Sequence, residues 1–283
     1  MLGKKLSQKI AFGLFTLVTV GVSIVSIGIV SYVLLNGAQV LSWTFFTDIP
    51  REGMTQGGIF PAIVGTLVLI FGSGLVAFPI GVLAGIFMNE YAHDNWFKKL
   101  VRLMTNNLAG IPSIVFGLFG MAFFVNGLGF GVSIVSGCLT LSILVLPIVI
   151  RTTEESLKFI SNEYREASYA LGASKWQTIW RVLLPTAIPG IITGLVLSIG
   201  RIAGETAAIL FTVSAYFLPR LPSSVYDEVM VLPYHLYVIS TSGTDIEKAR
   251  PYADGTALVL LLLVLLLNLG ANYLKKRLSV KSS

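Results

Sequence analysis

Six long apolar runs divide the chain, and polar or charged segments separate them. Each run is long enough to cross a bilayer, which takes about 20 residues of helix. Hydrophobic residues fill 54% of the 283 positions and charged residues 12%, whereas a soluble domain carries about a quarter charged residues. The runs lie at 10–35, 61–88, 108–125, 131–150, 188–210 and 256–274. The pattern predicts an all-α fold, a polytopic membrane bundle of six transmembrane helices.

The basic residues are unevenly distributed among the segments between these runs. With both termini in the cytoplasm, the inner segments hold fifteen of the twenty Lys and Arg residues, the outer loops hold four, and Arg201 lies inside a run. Because cytoplasmic loops carry an excess of positive charge, we expect a multi-pass protein with its N-terminus and C-terminus cytoplasmic. The net charge of +6 follows from this bias and from a basic tail that can contact membrane lipid, so no nucleic-acid partner is needed.

The chain is predicted to form one transmembrane domain over residues 1–283, without internal repeats or linkers. The first apolar run is longer than the core of a signal peptide, so we expect a retained span. The single Cys138 excludes an internal disulfide. His93 and His235 are isolated from other ligand residues, so we expect surface or interface histidines, with no metal site and no cofactor.

A polar segment at 152–185 is predicted to fold as a helical hairpin. Gly172 fits the left-handed position that closes many helices, and Ser174 with Gln177 has the spacing of a capping box. Pro185 is expected to end the second helix. Two apolar stripes at helical spacing accompany these signals, one of Leu157, Ile160, Tyr164, Ala167 and Leu171 and one of Trp176, Ile179, Trp180, Leu183 and Leu184. The pattern predicts two short amphipathic helices packed under the bundle, which fits either a docking element for a soluble partner or an interfacial segment of the inner rim.

The same segment resembles the EAA loop of ABC-transporter permeases. That loop reads Glu-Ala-Ala, three residues, Gly, nine residues, an apolar residue, one further residue and Leu-Pro. The chain keeps this spacing throughout, with Ser168 in place of the second Ala and Val182 in place of the usual Ile. The matching residues are Glu166, Ala167, Ser168, Gly172, Leu184 and Pro185. The resemblance implies a coupling helix that sits in a groove of an ATP-binding subunit. The chain has no Walker A sequence, so we expect a permease subunit that is not an enzyme, with ATP hydrolysed by a partner.

Two opposite charges, Arg201 and Glu205, interrupt the fifth apolar run and are followed by Thr206. Charged side chains are costly in hydrocarbon and usually face a bundle interior, a partner or a water-filled path. On one continuous helix the two would share a face, about 6 Å apart along the axis, and would partly neutralise each other. Small residues for close helix packing accompany them at Gly190, Gly194, Gly200 and Gly204. The pair is either a structural lock between helices or, as we favour, an anion gate, because Arg suits bidentate contact with an oxyanion.

The residues around this pair resemble the PstA-type permeases of phosphate-specific ABC importers. The companion C-type permease shares much of the pattern, and the choice of the A type rests on Thr206-Ala207, on Phe211-Thr212 and on the short N-terminus. At Ala207-Ala208-Ile209 the chain departs from the pattern, which has Pro after the first Ala. The matching motifs are Gly58-Ile59-Phe60-Pro61 leading to Gly65-Thr66, Asn89-Glu90-Tyr91-Ala92, Leu108-Ala109-Gly110-Ile111-Pro112-Ser113-Ile114-Val115-Phe116-Gly117, and Gly200-Arg201-Ile202-Ala203-Gly204-Glu205-Thr206-Ala207 with Phe211-Thr212.

This resemblance implies a type I, MetI-like permease of the bacterial plasma (inner) membrane that imports phosphate by alternating access. The implied partners are a second, C-type permease, two ATP-binding subunits and a phosphate-binding protein. The implied permease core covers about 61–275, with an additional N-terminal span at 10–35, and Arg201, Glu205 and Thr206 would line the substrate path or gate. Two alternatives stay open: a permease for another oxyanion such as molybdate or sulfate, and a membrane scaffold for phosphate sensing and signalling.

Overall fold

The computed structural model describes residues 2–93, 95–242 and 245–279. Helices dominate the described chain, which confirms the all-α fold class. They are α1 (Leu2–Gly37), α2 (Trp43–Thr47), α3 (Phe60–Ile86), α4 (Trp96–Gly110), α5 (Ser113–Gly120), α6 (Ile134–Lys158), α7 (Asn162–Ala170), α8 (Lys175–Thr178), α9 (Leu184–Ala203), α10 (Leu232–Thr241) and α11 (Ile246–Ser279). One short antiparallel hairpin pairs β1 (Pro50–Arg51) with β2 (Gln56–Gly57).

Five helical segments of the described chain are long and apolar enough to cross a membrane. They are Gln8–Gly37, Phe60–Tyr91, Ile134–Lys158, Lys175–Ala203 and Ile246–Arg277. These segments contain or overlap five of the six predicted runs. The helices therefore form the expected multi-span bundle.

The predicted span at 108–125 is not one continuous helix. The chain here is bent by 103° between Lys98–Leu108 and Ser113–Gly127, and a sixth crossing exists only if this bent pair is counted as one span. The bend lies at Ile111 and Pro112, whose backbones are extended. Proline disfavours the helical conformation of the residue before it, so the apolar run cannot continue as one helix.

The centre of the bundle is built from α3, α6 and α9, which pack at glycine contacts. A Cβ on Gly190 would lie 2.1 Å from Ser156 Oγ, and one on Gly194 would lie 2.0 Å from Thr152 Oγ1. These distances leave no room for a side chain, so the predicted close packing at Gly190 and Gly194 is confirmed. Gly200 has nothing within 4 Å of such a Cβ in the described chain, so the predicted extension of this packing surface to Gly200 is not used within this subunit.

The end of the bundle opposite the hairpin is closed by α10 and the chain before it. Thr66 Oγ1 accepts a hydrogen bond from the Leu232 backbone N–H at 2.9 Å, which fixes the start of α10 on α3. His235 in α10 is 3% exposed, so the expectation of a surface or interface position is wrong for this residue. Burial lowers the pKa of His235 to about 4, so it is neutral at pH 7 and offers no positive charge to an anion.

Candidate functional site

The hairpin predicted at 152–185 is formed by α7 and α8. Residues 152–158 belong to the end of α6, and Ser161 caps α7 by accepting a hydrogen bond from the Glu163 N–H at 3.3 Å. Gly172 follows α7 with φ +79°, the left-handed conformation that favours glycine. Ser174 and Gln177 form the capping box in both directions. The predicted glycine hinge and the predicted start of the second helix are both confirmed.

A buried hydroxyl pair holds the two halves of the hairpin together. Ser168 Oγ lies 2.9 Å from Thr178 Oγ1, and both side chains are buried. An alanine, the residue that the EAA pattern has here, could not make this bond. The departure at Ser168 therefore has a structural reason within the hairpin.

The first predicted stripe does not pack under the bundle as a unit. Leu157 and Ile160 are buried, but Tyr164 is 53% exposed and Leu171 is 89% exposed. The chain reverses at 159–161 between α6 and α7, so the helical phase is interrupted and the stripe is split between two directions. The second stripe is also split, because Ile179 and Leu183 are buried whereas Trp176 and Trp180 are exposed.

The structure corrects the role of Pro185, which does not end the second helix. The chain passes from α8 through a π-helical turn at Ile179–Leu183 into α9, where Pro185 lies in the first turn. The Leu184 N–H bonds to the Ile179 carbonyl, five residues back. Proline is tolerated in a first helical turn because its missing N–H is not needed there. Lys175–Ala203 is therefore one helical segment of 29 residues, which connects the hairpin directly to Arg201.

The outer face of the hairpin presents polar and apolar side chains together. Glu166 and Ala167 are exposed, beside Tyr169 at 44% exposure and Leu171 at 89%. The described chain gives the Glu166 side chain no hydrogen bond or ion pair. An exposed apolar patch next to an unused carboxylate is typical of a surface that docks another protein.

Replacing Gly172 by alanine is expected to destabilise the hairpin by about 1–2 kcal/mol, the cost of the left-handed conformation for a residue with a Cβ. No atom lies within 4 Å of that Cβ, so the cost is conformational and not steric. Hydrogen–deuterium exchange of residues 162–180 should become faster in G172A. The variant G172N should show a smaller change, because asparagine is also found in this position, and equal exchange in all three proteins would contradict the assignment.

The predicted helical pairing of Arg201 with Glu205 is wrong. Helix α9 ends at Ala203, with Gly204 as its cap, and the Glu205 N–H bonds to the Ile202 carbonyl at 3.2 Å. Glu205 Oε1 instead accepts a hydrogen bond from the Ala208 N–H at 3.2 Å, so it satisfies a free donor of the next turn. The helix therefore stops before the position that the i, i+4 spacing requires.

Arg201 is partly buried and has no partner in the described part of the chain. The described residues give its guanidinium no ion pair and no hydrogen bond, and the neighbouring Gly200 faces open space. Thr206 lies partly buried in the turn that follows. An unpaired, half-buried guanidinium is suited to bind an oxyanion or an acidic group of another subunit.

Two of the sequence motifs, the one at 108–117 and the one at 200–212, lie in contact with each other. A Cβ on Gly117 of α5 would lie 2.8 Å from the Ala207 carbonyl oxygen, and one on Gly120 would lie 2.8 Å from Thr212 Cγ2. Helix α5 therefore rests directly on the turns that carry Glu205 and Thr206. Sequence reasoning placed both motifs in the same resemblance but had no signal for their contact.

Sequence reasoning also missed a set of ion pairs at the hairpin end of the bundle. Arg102 and Lys158 both bind Glu154, whose side chain is 9% exposed. Arg165 binds Glu90 across 75 residues of sequence. Glu154 and Lys158 have the i, i+4 spacing of one helix, but the pairs Arg102–Glu154 and Arg165–Glu90 join distant segments. No local spacing indicates these two pairs.

Comparison with protein families identifies the chain as a transport component. The family described as "Binding-protein-dependent transport system inner membrane component" matches residues 77–281. That range holds α4 to α11, including the hairpin and Arg201.

Curated relatives cover most of the chain. A protein of Bacillus subtilis (strain 168), named a probable ABC transporter permease protein YqgI, is 36% identical over 96% of this chain and 96% of its own. The phosphate transport system permease protein PstA of Xylella fastidiosa (strain Temecula1) is 35% identical over 86% of this chain and 83% of its own. PstA 1 of Mycobacterium tuberculosis (strain CDC 1551) is 37% identical over 76% of this chain and 69% of its own.

Solved structures share the fold at low sequence identity. A chain of the inward-facing MetNI methionine ABC transporter has a TM-score of 0.58 and 19% identity, covering 78% of this chain and 94% of its own. A chain of a bacterial ABC transporter that imports the acidic polysaccharide alginate has a TM-score of 0.63 and 18% identity, covering 87% of this chain and 88% of its own. The hairpin, the bundle, the family match and the relatives agree: this chain belongs to the inner-membrane permease components of binding-protein-dependent ABC transport systems.

Proposed function

We propose that the chain is the transmembrane permease subunit of an ATP-driven phosphate importer. The observation that carries the proposal is the unpaired, partly buried Arg201 at the end of the helical segment that begins in the hairpin. Relatives named as phosphate transport permeases support the choice of phosphate. A guanidinium offers parallel N–H donors that match a tetrahedral oxyanion, and no side chain among the described residues competes for them.

The proposed mechanism is alternating access. Two ATP-binding subunits close on ATP and pull the hairpin through its exposed face around Glu166, Ala167 and Leu171. The segment Lys175–Ala203 transmits this movement to Arg201, and the spans rock as rigid bodies. Phosphate delivered by a binding protein then passes Arg201, Glu205 and Thr206. ATP is hydrolysed in the partner subunits and not in this chain.

The proposed assembly contains one further permease of the C type, two ATP-binding subunits and a phosphate-binding protein. The positive-inside bias of the sequence supports a cytoplasmic position for both termini and the hairpin. The division into a core at about 61–275 and an additional span at 10–35 stays a prediction. Leu184 and Pro185, at the start of α9, are assigned to transmission rather than to docking, because they lie beyond the π-helical turn.

Reconstitution of the complete complex in nanodiscs tests the proposal. Binding protein loaded with phosphate should stimulate ATP hydrolysis, and unloaded protein should not. Stimulation by molybdate or sulfate instead would overturn the substrate assignment and support a permease for another oxyanion. Co-purification without an ATP-binding subunit would count against transport and would favour a signalling scaffold.

A further inference from the structure

We propose that the buried ion pair Glu90–Arg165 is a mechanical joint, which makes the hairpin move with the bundle instead of swinging freely. The inference rests on the proposed function, because it concerns how force on the hairpin reaches the spans. It assigns positioning roles to two residues outside the EAA pattern and far from Arg201.

Arg165 of α7 makes four hydrogen bonds, to groups on α3, on α6, in the turn before α7 and on α7 itself. Its Nη2 donates to Glu90 Oε1 at 2.7 Å and to the Leu157 carbonyl at 3.1 Å. Its Nη1 donates to the Ile160 carbonyl at 3.1 Å and to Asn162 Oδ1 at 3.3 Å. One guanidinium thus binds a carbonyl in the last turn of α6, a carbonyl in the turn that follows it and a carboxylate at the end of α3. A lysine could not do this, because a single ammonium lacks the planar fork of donors.

Glu90 is held in place from its own side. It lies in the π-helical turn Phe87–Tyr91 that extends α3, and Asn89 Nδ2 donates to its Oε1 at 2.7 Å. The side chains of the pair are only 16% exposed for Arg165 and 6% for Glu90. The carboxylate is therefore aimed at the hairpin and shielded from water.

The second half of the hairpin contacts the same turn of α3. Lys175 Nζ lies 4.7 Å from the centroid of the Tyr91 ring, within the range of a cation–π interaction. Consecutive residues, Glu90 and Tyr91, thus bind α7 and α8 respectively. The end of α3 is a shared anchor for both hairpin helices.

The covalent connections of the hairpin explain why such an anchor is needed. The hairpin leaves α6 through the non-helical turn at 159–161 and enters α9 through a π-helical turn. The continuous helix carries a movement of α8 into α9, but a pull on α7 could bend the turn at 159–161 without tilting α6. The pair Glu90–Arg165 prevents such bending because it ties α7 to α3. Helix α3 in turn packs tightly on α6 at Gly81 and Gly85.

The chemistry of the pair also favours a contact that orients α7 over a simple attachment. A buried ion pair is seldom more stable than apolar packing of the same volume, whereas removal of one partner is costly. An apolar contact would therefore serve a static attachment equally well. A directional, hydrogen-bonded pair fixes the angle of α7 as well as its distance from α3.

The variant Glu90→Gln tests the joint, because glutamine keeps the size of the side chain and removes its charge. In the reconstituted complex we expect ATP hydrolysis to remain stimulated by the loaded binding protein. The number of phosphate ions transported per ATP should fall about fivefold, in the range found when a coupling contact is lost. Glu163→Gln on the same helix is the matched control, since its carboxylate is exposed and has no side-chain partner in the described chain; it should keep the wild-type ratio.

A distance measurement makes the test independent of transport. Spin labels at Ala170 on α7 and Leu83 on α3, both exposed, should give one narrow distance distribution in the wild type and a broad one in Glu90→Gln. If Glu90→Gln does not assemble, Arg165→Lys takes its place with the same expected results. A parallel fall of transport and ATP hydrolysis with an unchanged ratio, or an unchanged distance distribution, would overturn the joint. If the wild type fails to transport phosphate, the proposed function fails and the distance distributions alone decide the joint.

Discussion

Phosphate uptake should be abolished when Arg201 is replaced by alanine, although the complex should still assemble. The guanidinium has no partner within the described subunit, so its removal breaks no contact that holds the bundle together. Two charge-assisted hydrogen bonds to an oxyanion, at about 1.5–3 kcal/mol each, correspond to at least a hundredfold loss of transport. Uptake of radiolabelled phosphate into proteoliposomes measures the effect, and co-purification of the partner subunits measures assembly.

Two control variants test whether phosphate uptake depends on the position and geometry of the Arg201 guanidinium or only on a positive charge. Arg220→Ala removes an exposed arginine from the loop that follows α9 and should leave uptake near the wild-type level. Arg201→Lys keeps the charge without the bidentate geometry and should retain part of the activity. Wild-type uptake by Arg201→Ala would show that this residue does not handle the substrate.

Replacing Gly65 by alanine should cause the largest loss of stability in the bundle. The new Cβ would lie 2.0 Å from the Met230 carbonyl oxygen, a backbone atom that cannot rotate away. The chain at Met230 is itself fixed by the bond from the Leu232 N–H to Thr66, so α3 and this segment must separate. Overpacking costs about 1–3 kcal/mol, and a clash with a backbone atom should lie at the upper end of this range. The midpoint of thermal unfolding in detergent should fall.

Gly74 on the same helix is the matched control for Gly65. No atom lies within 4 Å of a Cβ added there, and alanine is favoured over glycine in a helix by about 1 kcal/mol. Gly74→Ala should therefore unfold at the wild-type temperature or above it. Equal midpoints for the two variants would contradict the tight contact at Gly65.

The contact of Gly65 with Met230 gives a physical reason for a motif that the sequence analysis gave only as a resemblance. In Gly58-Ile59-Phe60-Pro61 a Cβ on Gly58 would lie 2.5 Å from the Thr44 carbonyl oxygen. Gly65 approaches Met230, and Thr66 binds the start of α10. The motif thus serves the packing at the end of the bundle opposite the hairpin.

Local chemistry made several elements predictable from the sequence. The capping box at Ser174 and the left-handed Gly172 depend on residues within a few positions of each other, so their spacing sufficed. The long apolar runs likewise indicated the main helices. At Pro112 a local signal was present but was outweighed by the apolar character of the residues around it, so the bend was missed.

Other features depend on contacts that sequence spacing does not contain. The run 188–210 is apolar through the end of α9, and only the cap at Gly204 with the bond from Ala208 to Glu205 shows where the helix stops. The pair Glu90–Arg165 joins positions 75 residues apart. Of the predicted hairpin stripes, only the members facing α3 and α6 could be buried, and the turn at 159–161 decides which ones do so.

The continuous helical segment from the hairpin to Arg201 determines how far a change of angle at the hairpin displaces this side chain. About 20 residues separate the π-helical turn at Ile179–Leu183 from Arg201, which is a lever arm of about 30 Å. A tilt of about 6° at that turn would displace the guanidinium by about 3 Å, the full length of a hydrogen bond. Under the proposed function, a small change of angle at the hairpin would therefore decide whether Arg201 contacts an oxyanion, so α9 must stay rigid along its length.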